Sequence, residues 1–426
     1  MEQTLLFSKP LDGVLMSSIL DWDDYNIPEN KPKSTEALKQ EKPIEPKVTA
    51  PVAPVLKAVE APTEGTPDQI DARARLAAMA LLGTDDEPFM GGERLKASDK
   101  KIVKGSSDVN QLIPFKYHWA WQKYLDGCAN HWMPTEINMT RDLEQWVGQD
   151  TLSEDERRMV NRTFGFFSVA DTMVANNLVQ TIYNNVSAPE VRQYLLRQMF
   201  EEGLHSHSYQ HILQSLRMDE GESFNMYREV PSIASKMSWA LKISSKLAKL
   251  KINEWTTDNI LSDFIEGLAV YYCVIEGVFF YCGFAQILGL GRRNLLPSCG
   301  EQIAYILRDE SAHAAFGIDL INEIKNENPH IWTSQLQQRI LDKFMEGYLL
   351  ECDYIRDTIP NGILGMNYEL HSQYLRFILN RRCIQIGLPT MFKEEPNPYP
   401  WMSEMMDLRK ESNFFERREM ICALAS

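Results

Sequence analysis

The chain has few cysteines for its length, and their spacing does not pair them. Seven cysteines are scattered over 426 residues, with no Cys-x-x-Cys among them. This pattern argues against a disulfide framework or a zinc ribbon, and it is consistent with a reducing compartment. We therefore expect a cytoplasmic protein, and a chain of this length can bury a large hydrophobic core.

The sequence also lacks the signals of membrane, secreted and nucleic-acid-binding proteins. We see no apolar run that could span a membrane, and the N-terminus lacks the basic-then-apolar order of a signal peptide. The net charge of −15 disfavours nucleic acid as a partner. The N-terminal region contains no Gly-rich phosphate loop that would indicate an added nucleotide-binding domain. We expect neither a membrane nor a nucleic-acid partner.

The N-terminal region has the composition of a linker. Residues 30–68 are rich in Pro, Lys, Glu, Ala and Val, which predicts an extended, disordered segment. Before it, residues 15–25 are either a short binding peptide or a frayed terminus, and residues 71–82 could form a short amphipathic helix. We predict three parts: a mostly disordered arm (1–105), a helical domain (106–395) and a flexible C-terminal tail (396–426).

Four segments of the helical part carry apolar residues at steps of three and four, which places them on one helical face. A Ser-x-x-Glu pattern at Ser153, Ser187 and Ser298 predicts capping boxes at three helix starts. Ionisable residues interrupt each apolar face. The four stripes are Val160, Phe164, Phe167, Asp171, Val174, Leu178 and Ile182; Val191, Leu195, Gln198, Glu202, His205, Tyr209, Ile212 and Leu216; Ile265, Ala269, Tyr272, Glu276, Phe280 and Phe284; and Ile303, Ile306, Glu310, His313, Gly317, Leu320 and Ile324.

The ionisable residues form a repeated pattern. Glu-x-x-His occurs twice, and each copy is preceded, about one helix earlier, by a lone acid. Burying four carboxylates without a cation is very costly, whereas this set and order suit a four-helix bundle that holds two metal ions. The predicted ligands are Asp171, Glu202, His205, Glu276, Glu310 and His313.

Each of these residues also has an ordinary interpretation. A single Glu-x-x-His is common on solvated helices, and a lone buried acid can be satisfied by an Arg or a backbone group. The matching order of the two halves favours metal binding. Glu201 also neighbours His205, but it points away from the stripe, so we assign the metal role to Glu202. His207 and His211 fall off the metal-facing line.

Tyr209 lies one turn beyond His205 on the same face. It is either a core tyrosine with a hydrogen-bonded hydroxyl or a redox-active residue beside the metals. The side chains of Phe280, Phe284 and Ile306 would form an apolar jacket, and such a jacket would protect an oxidised tyrosine from water.

With these residues in this order, the chain resembles the small, radical-generating subunit of a class I ribonucleotide reductase. The resemblance covers about residues 110–416 and implies a ferritin-like bundle with a dinuclear metal site. It rests on four segments: Phe-Phe-Ser-Val-Ala-Asp (166–171), Phe-Glu-Glu-Gly-Leu-His-Ser-His-Ser-Tyr (200–209), Tyr-Cys-Val-Ile-Glu-Gly-Val-Phe-Phe-Tyr-Cys-Gly-Phe (272–284) and Leu-Arg-Asp-Glu-Ser-Ala-His (307–313).

The resemblance implies roles for individual residues. The six predicted ligands would hold the metals, and Tyr209 would carry a stable radical in the pocket of Phe280, Phe284 and Ile306. Trp132 is similar to the tryptophan of the family's radical-export route, and Asp309 to the acid that links it to His205. From its sequence context alone, Trp132 is better interpreted as a core or interface anchor.

The implied activity belongs to a complex. Two iron ions and dioxygen would oxidise Tyr209, and the oxidising equivalent would pass to a cysteine of a separate large subunit, which reduces ribonucleotides to deoxyribonucleotides. The resemblance also implies a homodimer. Manganese with iron remains an alternative, because carboxylates and imidazoles accept both metals.

The C-terminus departs from the family. The family's tail bears a tyrosine and docks the large subunit, whereas residues 417–426 contain no aromatic residue and the last tyrosine is Tyr399. We expect docking through Met420, Ile421 and Leu424, with radical transfer that is slow or relies on a residue elsewhere. Two alternatives remain: another ferritin-like diiron oxidase or iron-storing protein, and a non-catalytic regulatory homologue.

Overall fold

The computed structural model describes residues 96–103, 112, 114–173, 179–250 and 257–407, all within the second of two units of the chain, residues 89–426. Several predicted features therefore lie outside the described residues. They are the segments 15–25, 30–68 and 71–82, two members of the first stripe, Val174 and Leu178, and the end of the tail, 417–426.

The regular elements of the described residues are all helical, which confirms the predicted all-α class. Short 3₁₀ turns at Ala97–Asp99, Pro134–Glu136 and Pro329–Ile331 connect longer helices. The longer helices are α1 (His118–Ala129), α2 (Thr140–Val147), α3 (Glu154–Met173), α4 (Gln180–Asn185), α5 (Pro189–Leu216), α6 (Glu220–Glu229), α7 (Pro231–Ala248), α8 (Asp258–Ala269), a π-helix (Val270–Phe279), α9 (Phe280–Arg292), α10 (Pro297–Glu327), α11 (Ser334–Thr358), α12 (Tyr368–Gln385) and α13 (Pro400–Asp407).

Helices α3, α5 and α10, with the continuous segment of the π-helix and α9, close a ring around the predicted ligands. Helix α3 packs against α5, α5 against α10, α10 against the π-helix and α9, and α9 packs back against α3. Each helix turns its apolar face toward the centre, because packing against the other helices removes that face from water. The bundle therefore brings all four ionisable stripes to one axis.

The first of the three predicted capping boxes is formed. The backbone N–H of Ser153 donates to Oε2 of Glu156 at 2.8 Å, and the N–H of Glu156 donates to Oγ of Ser153 at 3.2 Å. Burial alone would raise the pKa of Glu156, but the Ser153 N–H and the Arg293 guanidinium lower it. This helix start is thus set locally, as its sequence predicts.

The other two predicted boxes are wrong, since a proline starts each helix at a different residue. Helix α5 begins at Pro189 after Ala188, so Ser187 lies outside it, and its hydroxyl donates to the carbonyl of Ile102 at 3.1 Å. Glu190 pairs instead with Lys100, whose Nζ lies 3.0 Å from Oε1.

Helix α10 begins at Pro297, so Ser298 already lies within its first turn. The cap comes from a distant residue, Asp142 of α2, whose carboxylate accepts from the N–H groups of Ser298 (3.1 Å) and Cys299 (2.7 Å). A buried aspartate at a helix start both satisfies free N–H groups and matches the positive end of the helix dipole.

The third stripe is not a regular α-helix. All ten residues of the π-helix are buried, and the segment joins α8 to α9 without a break. The ring of Tyr272 in this segment packs against Gly317 of α10, where a Cβ would lie 1.8 Å from the Tyr272 Cγ. A π-segment inside an α-helix is frequent at functional sites, and Glu276 lies within this one.

The helix from Asp258 to Arg292 also corrects an expectation about apolar runs. It spans 35 residues, and its most apolar stretch has a mean hydropathy of 1.7, enough by length and composition to cross a membrane. The chain therefore does contain such a run. However, 94% of that stretch is buried inside the protein, so the apolar character is explained by the surrounding helices.

Residues on either side of the segment 106–395 also pack into the core. Lys100 and Ile102 are buried against it, and the N–H of Ile102 donates to Oε2 of Glu327 at 3.1 Å. At the other end, Tyr399 and Met402 are buried. Residues on both sides of the predicted domain therefore contribute to its core.

Candidate metal centre

The structure brings the six predicted ligands together, although they come from four helices. Asp171 lies on α3, Glu202 and His205 on α5, Glu276 on the π-helix, and Glu310 and His313 on α10. All six side chains are fully buried.

The first group of donors contains Asp171, Glu202, His205 and Glu310, whose ligand atoms all lie within 4.8 Å of one another. Nδ1 of His205 is 3.6 Å from Oδ2 of Asp171, 3.6 Å from Oε2 of Glu202 and 3.2 Å from Oε1 of Glu310. Three carboxylates thus face one imidazole nitrogen.

The second group contains Glu202, Glu276, Glu310 and His313, within the same distance limit. Nδ1 of His313 is 3.3 Å from Oε1 of Glu202 and 3.4 Å from Oε2 of Glu310. This group mirrors the first, with Glu276 in place of Asp171.

Glu202 and Glu310 join the two groups. Each directs one carboxylate oxygen toward His205 and the other toward His313. A carboxylate with an oxygen in each group can bridge two ions, so the arrangement fits a dinuclear centre with Asp171 and Glu276 at its two ends.

The unpaired atoms of the site fit a metal. Among the described residues, several buried ligand atoms have no hydrogen-bond partner, although buried polar atoms are nearly always paired. Nitrogen and carboxylate oxygen donors of this kind suit iron, manganese and similar ions. The unpaired atoms are both oxygens of Asp171 and of Glu310, Oε2 of Glu202 and of Glu276, and Nδ1 of His205 and of His313.

Without a cation, the charges of this site conflict. Burial and the neighbouring Glu202 carboxylate raise the pKa of Asp171, and burial and Glu310 raise that of Glu276. Burial would lower the pKa of His205, but hydrogen bonds to Asp309, Glu202 and Glu310 raise it. Burial would raise the pKa of Glu202, but contacts with His205 and His313 lower that pKa to about 2. Like charges are therefore crowded at this site, and a bound cation would neutralise them.

A chain of contacts leads from the first group to Trp132. Nε2 of His205 lies 3.2 Å from Oδ2 of Asp309, and the indole N–H of Trp132 donates to the same oxygen at 3.0 Å. Asn130 donates to the other oxygen of Asp309. A carboxylate behind an imidazole keeps the proton on Nε2 and leaves Nδ1 free for a metal. The sequence resemblance alone suggested this connection.

Glu201 plays the same part for the other histidine, and the sequence analysis did not assign it. Its Oε2 lies 2.8 Å from Nε2 of His313, and its Oε1 accepts from Nε of Arg197 at 2.8 Å. Glu201 is off the stripe of its own helix, yet it is buried because α10 passes beside it. Its place next to Glu202 was the only signal in the sequence.

Gln198 was part of the second stripe, but the sequence did not predict its contacts with two of the candidate ligands. Its Nε2 lies 2.7 Å from Oε1 of Glu276, 3.3 Å from Oε1 of Glu202 and 3.0 Å from the Tyr271 hydroxyl, while Tyr272 donates to its Oε1 at 3.2 Å. Gln198 therefore donates to one oxygen of each of two predicted ligands, and on Glu202 that oxygen, Oε1, also faces His313.

Tyr209 is buried within a cluster of aromatic rings. Burial raises the pKa of its hydroxyl, and the charges of Asp171 and Glu310 raise it further. The ring that stacks on it is Phe167, with centroids 5.2 Å apart and planes at 22°. Phe280 and Phe284 pack on Phe167, at 6.0 and 5.2 Å, and Ile306 is fully buried. Phe167 belonged to the first stripe but was not predicted as part of the pocket.

The remaining histidines lie away from the two donor groups. His207, His118, His131 and His330 are exposed, and His211 is half-buried, with its Nε2 3.5 Å from the carbonyl oxygen of Ile137. His371 is buried, and burial lowers its pKa to about 4. Its Nδ1 lies 3.0 Å from the hydroxyl of Tyr399, the last tyrosine of the chain.

The chain matches a known family over most of its length. The family described as ribonucleotide reductase, small chain, matches residues 109–398. The ribonucleoside-diphosphate reductase subunit beta of Chlamydia pneumoniae is 47% identical over 327 residues, which are 76% of this chain and 94% of that protein. The small chain 1 from Saccharomyces cerevisiae is 31% identical over 332 residues, 76% of each chain.

The comparison with solved structures also finds a ribonucleotide reductase subunit. The ribonucleotide reductase R2 subunit from Clostridium botulinum superposes with a TM-score of 0.63 and 27% sequence identity, and the match covers 72% of this chain and 92% of that one.

Proposed function

The chain belongs to the ribonucleotide reductase small-chain family, and on that basis we propose a role for each residue of the site. Its relatives are named as subunits of ribonucleoside-diphosphate reductase, so the chain is an oxidoreductase subunit with a ferritin-like helical fold, as the resemblance implied. The family assignment does not favour the two alternatives, an iron-storing or other diiron protein and a non-catalytic homologue.

We assign the ligand roles from the donor geometry. Asp171 and His205 would hold one ion, Glu276 and His313 the other, with Glu202 and Glu310 between them. When bound, the two ions would supply dioxygen activation and the oxidising equivalent. Iron is the metal we propose for both positions, with manganese plus iron as the alternative that this donor set also accepts.

Tyr209 is the residue that we propose to become a radical. Burial and the charges of Asp171 and Glu310 raise the pKa of its hydroxyl, which is therefore protonated in the resting state. Oxidation would remove one electron and the phenolic proton together, and both would pass to the metal centre. The product is a neutral radical, which a buried apolar site tolerates better than a charged one. The rings of Phe167, Phe280 and Phe284 exclude water from this pocket.

We propose that Trp132, Asp309 and His205 form the path by which the oxidising equivalent leaves the site. The distances of 3.0 Å and 3.2 Å connect the Trp132 indole to a metal-facing imidazole without a gap. This unbroken line is the observation that carries the proposal, because a storage or self-contained oxidase site needs no such exit.

The partners follow from the family. A small chain implies a large subunit that binds the nucleotide, and we propose that this chain acts in such a complex, as a homodimer in the cytoplasm. Isolated protein should therefore form the radical without reducing nucleotides.

The test loads metal-free protein with Fe(II), exposes it to O2, and records electron paramagnetic resonance before and after adding a class I large subunit and a ribonucleoside diphosphate. We expect a tyrosyl signal first, and deoxynucleotide only in the mixture. Steady growth of an iron core without a tyrosyl signal would support storage and overturn the proposal.

A further inference from the structure

A buried ion pair lies outside the metal centre. Nζ of Lys236, on α7, is 2.7 Å from Oε2 of Glu351, on α11, and both side chains are fully buried. Burial lowers the pKa of Lys236 and raises that of Glu351, and the opposite charge of each partner opposes these shifts. No part of the proposed radical chemistry uses this pair.

Three aromatic rings enclose the ammonium. Nζ of Lys236 lies 3.6 Å from the ring centroid of Phe166, 4.0 Å from that of Tyr354 and 4.5 Å from that of Phe279. These distances are typical of cation–π contacts, which are strongest where water is excluded. Each of the three rings comes from a different helix, so the ammonium ties α3, α11 and the π-helix to α7.

One of these rings, Phe166, also packs on the aromatic cluster around Tyr209. Phe166 packs on Phe167 with centroids 5.8 Å apart and on Phe280 at 6.0 Å. Phe167 in turn stacks on Tyr209 at 5.2 Å. Lys236 is thus two rings away from Tyr209.

Overall stability does not explain why a charged pair occupies this position. Replacing a buried ion pair by well-packed apolar residues of similar size is often neutral or stabilising. An apolar pair would also fill this space, but it would lack the cation–π contact that holds the ring of Phe166 in one position. A buried cation therefore points to a positional role.

We propose that Lys236, held by Glu351, is a positioning residue that fixes the Phe166–Phe167 wall and so sets the lifetime and ring orientation of the Tyr209 radical. This inference rests on the proposed radical role of Tyr209. The chemical step itself is unchanged by it.

The decisive variant removes both charges at once, as Lys236→Met/Glu351→Leu. Removing both leaves no unpaired buried charge, so we expect wild-type metal content and a melting temperature close to that of the wild type. The radical should form but decay faster, on the order of tenfold, because loss of a desolvated cation–π contact lets the wall open more often. The electron paramagnetic resonance line shape should also change, since its splitting reports the orientation of the tyrosine ring.

The chain offers a matched control. Lys100 and Glu190 form a second buried ion pair, at 3.0 Å. Lys100→Met/Glu190→Leu should lower the melting temperature, because Lys100 also donates to the carbonyls of Leu112 and Pro114. It should leave the radical lifetime and line shape unchanged.

A second variant protects the test against a folding failure. Phe166→Leu removes the ring nearest the ammonium and keeps the ion pair, and it should shorten the lifetime in the same way. Wild-type lifetime and line shape in the folded, metal-loaded double variant would overturn the inference, and if that variant fails to fold, the same result in Phe166→Leu would overturn it. Absence of any tyrosyl signal in the wild type would instead overturn the proposed function, so the two failures are distinguishable.

Discussion

Oε2 of Glu201 lies 2.8 Å from Nε2 of His313, although the two residues are on different helices. With Asp309 behind His205, each histidine of the site therefore has its own carboxylate. A carboxylate behind each Nε2 favours the tautomer with the proton on Nε2, and Nδ1 of each imidazole faces the donor groups. The two acids that stand behind the histidines are neighbours of two predicted ligands, Glu202 and Glu310.

Tyr209→Phe should separate metal binding from radical formation. The change removes only the hydroxyl, so the stacking on Phe167 and the fold should survive. We expect normal metal content, no tyrosyl signal, and no support of nucleotide reduction by a large subunit. Reduction at a rate near that of the wild type would show that Tyr209 is not the radical carrier.

Glu276→Ala should lower metal occupancy, because it removes an end donor from the second group and that group has no spare carboxylate. Glu310→Ala and His313→Ala should do the same. The matched control is Glu201→Gln, which should retain the metals and weaken their binding by about 10- to 100-fold, as for other residues that orient a ligand. Metal analysis and titration measure both effects. Unchanged stoichiometry in Glu276→Ala would contradict its assignment as a ligand.

Trp132→Phe should form the Tyr209 radical and fail to export it. Phenylalanine keeps a ring that can stack on Tyr305 but lacks the N–H that reaches Asp309. We expect a tyrosyl signal of normal size with almost no deoxynucleotide formed. If the radical itself is lost, Trp132 acts in assembling the site, and if activity persists, the path runs elsewhere.

The stability of the metal-free protein should fall as pH rises. The folded-state pKa values of Asp171, Glu276, His205 and His313 are all raised. Folding is therefore favoured while these groups hold protons, and that contribution is lost as pH climbs from the ordinary carboxyl range through and beyond that of histidine. Thermal melts of metal-free protein between about pH 6 and 9 should show decreasing stability, and metal loading should remove most of the slope.

Deletion after Glu416 should weaken binding of the large subunit. The removed residues include Met420, Ile421 and Leu424, which we predict to be apolar anchors, and they lie outside the described residues. Affinity and activity should be measured separately against the 426-residue chain. Unchanged affinity would remove the docking role. High activity of the 426-residue chain would show that radical transfer needs no aromatic residue in 417–426.

Several features of this protein could be predicted from the sequence of one helix at a time. Steps of three and four residues put Glu202, His205 and Tyr209 on one face of α5, whatever packs against it. The Ser153–Glu156 box forms as predicted because both partners lie within one turn. The all-α class and the six candidate ligands could be predicted for the same reason.

Other features needed neighbours that are distant in the sequence. The prolines at the starts of α5 and α10 displaced two predicted boxes, and Asp142 caps α10 from 156 and 157 residues away. Glu201 lies off its own stripe and became buried only because α10 passes beside it. Phe167 stacks on Tyr209 because α3 packs against α5.

The sequence by itself determined which side chains each helix turns toward the bundle axis, since helical periodicity is a local property. Only the tertiary structure decided which residues of other helices those side chains contact. That Glu202 and Glu310 each serve two donor groups, that Gln198 holds one oxygen of Glu276, and that Lys236 lies two rings from Tyr209 all depend on how the helices pack. Packing is set by the whole core at once, and no spacing along one helix contains it.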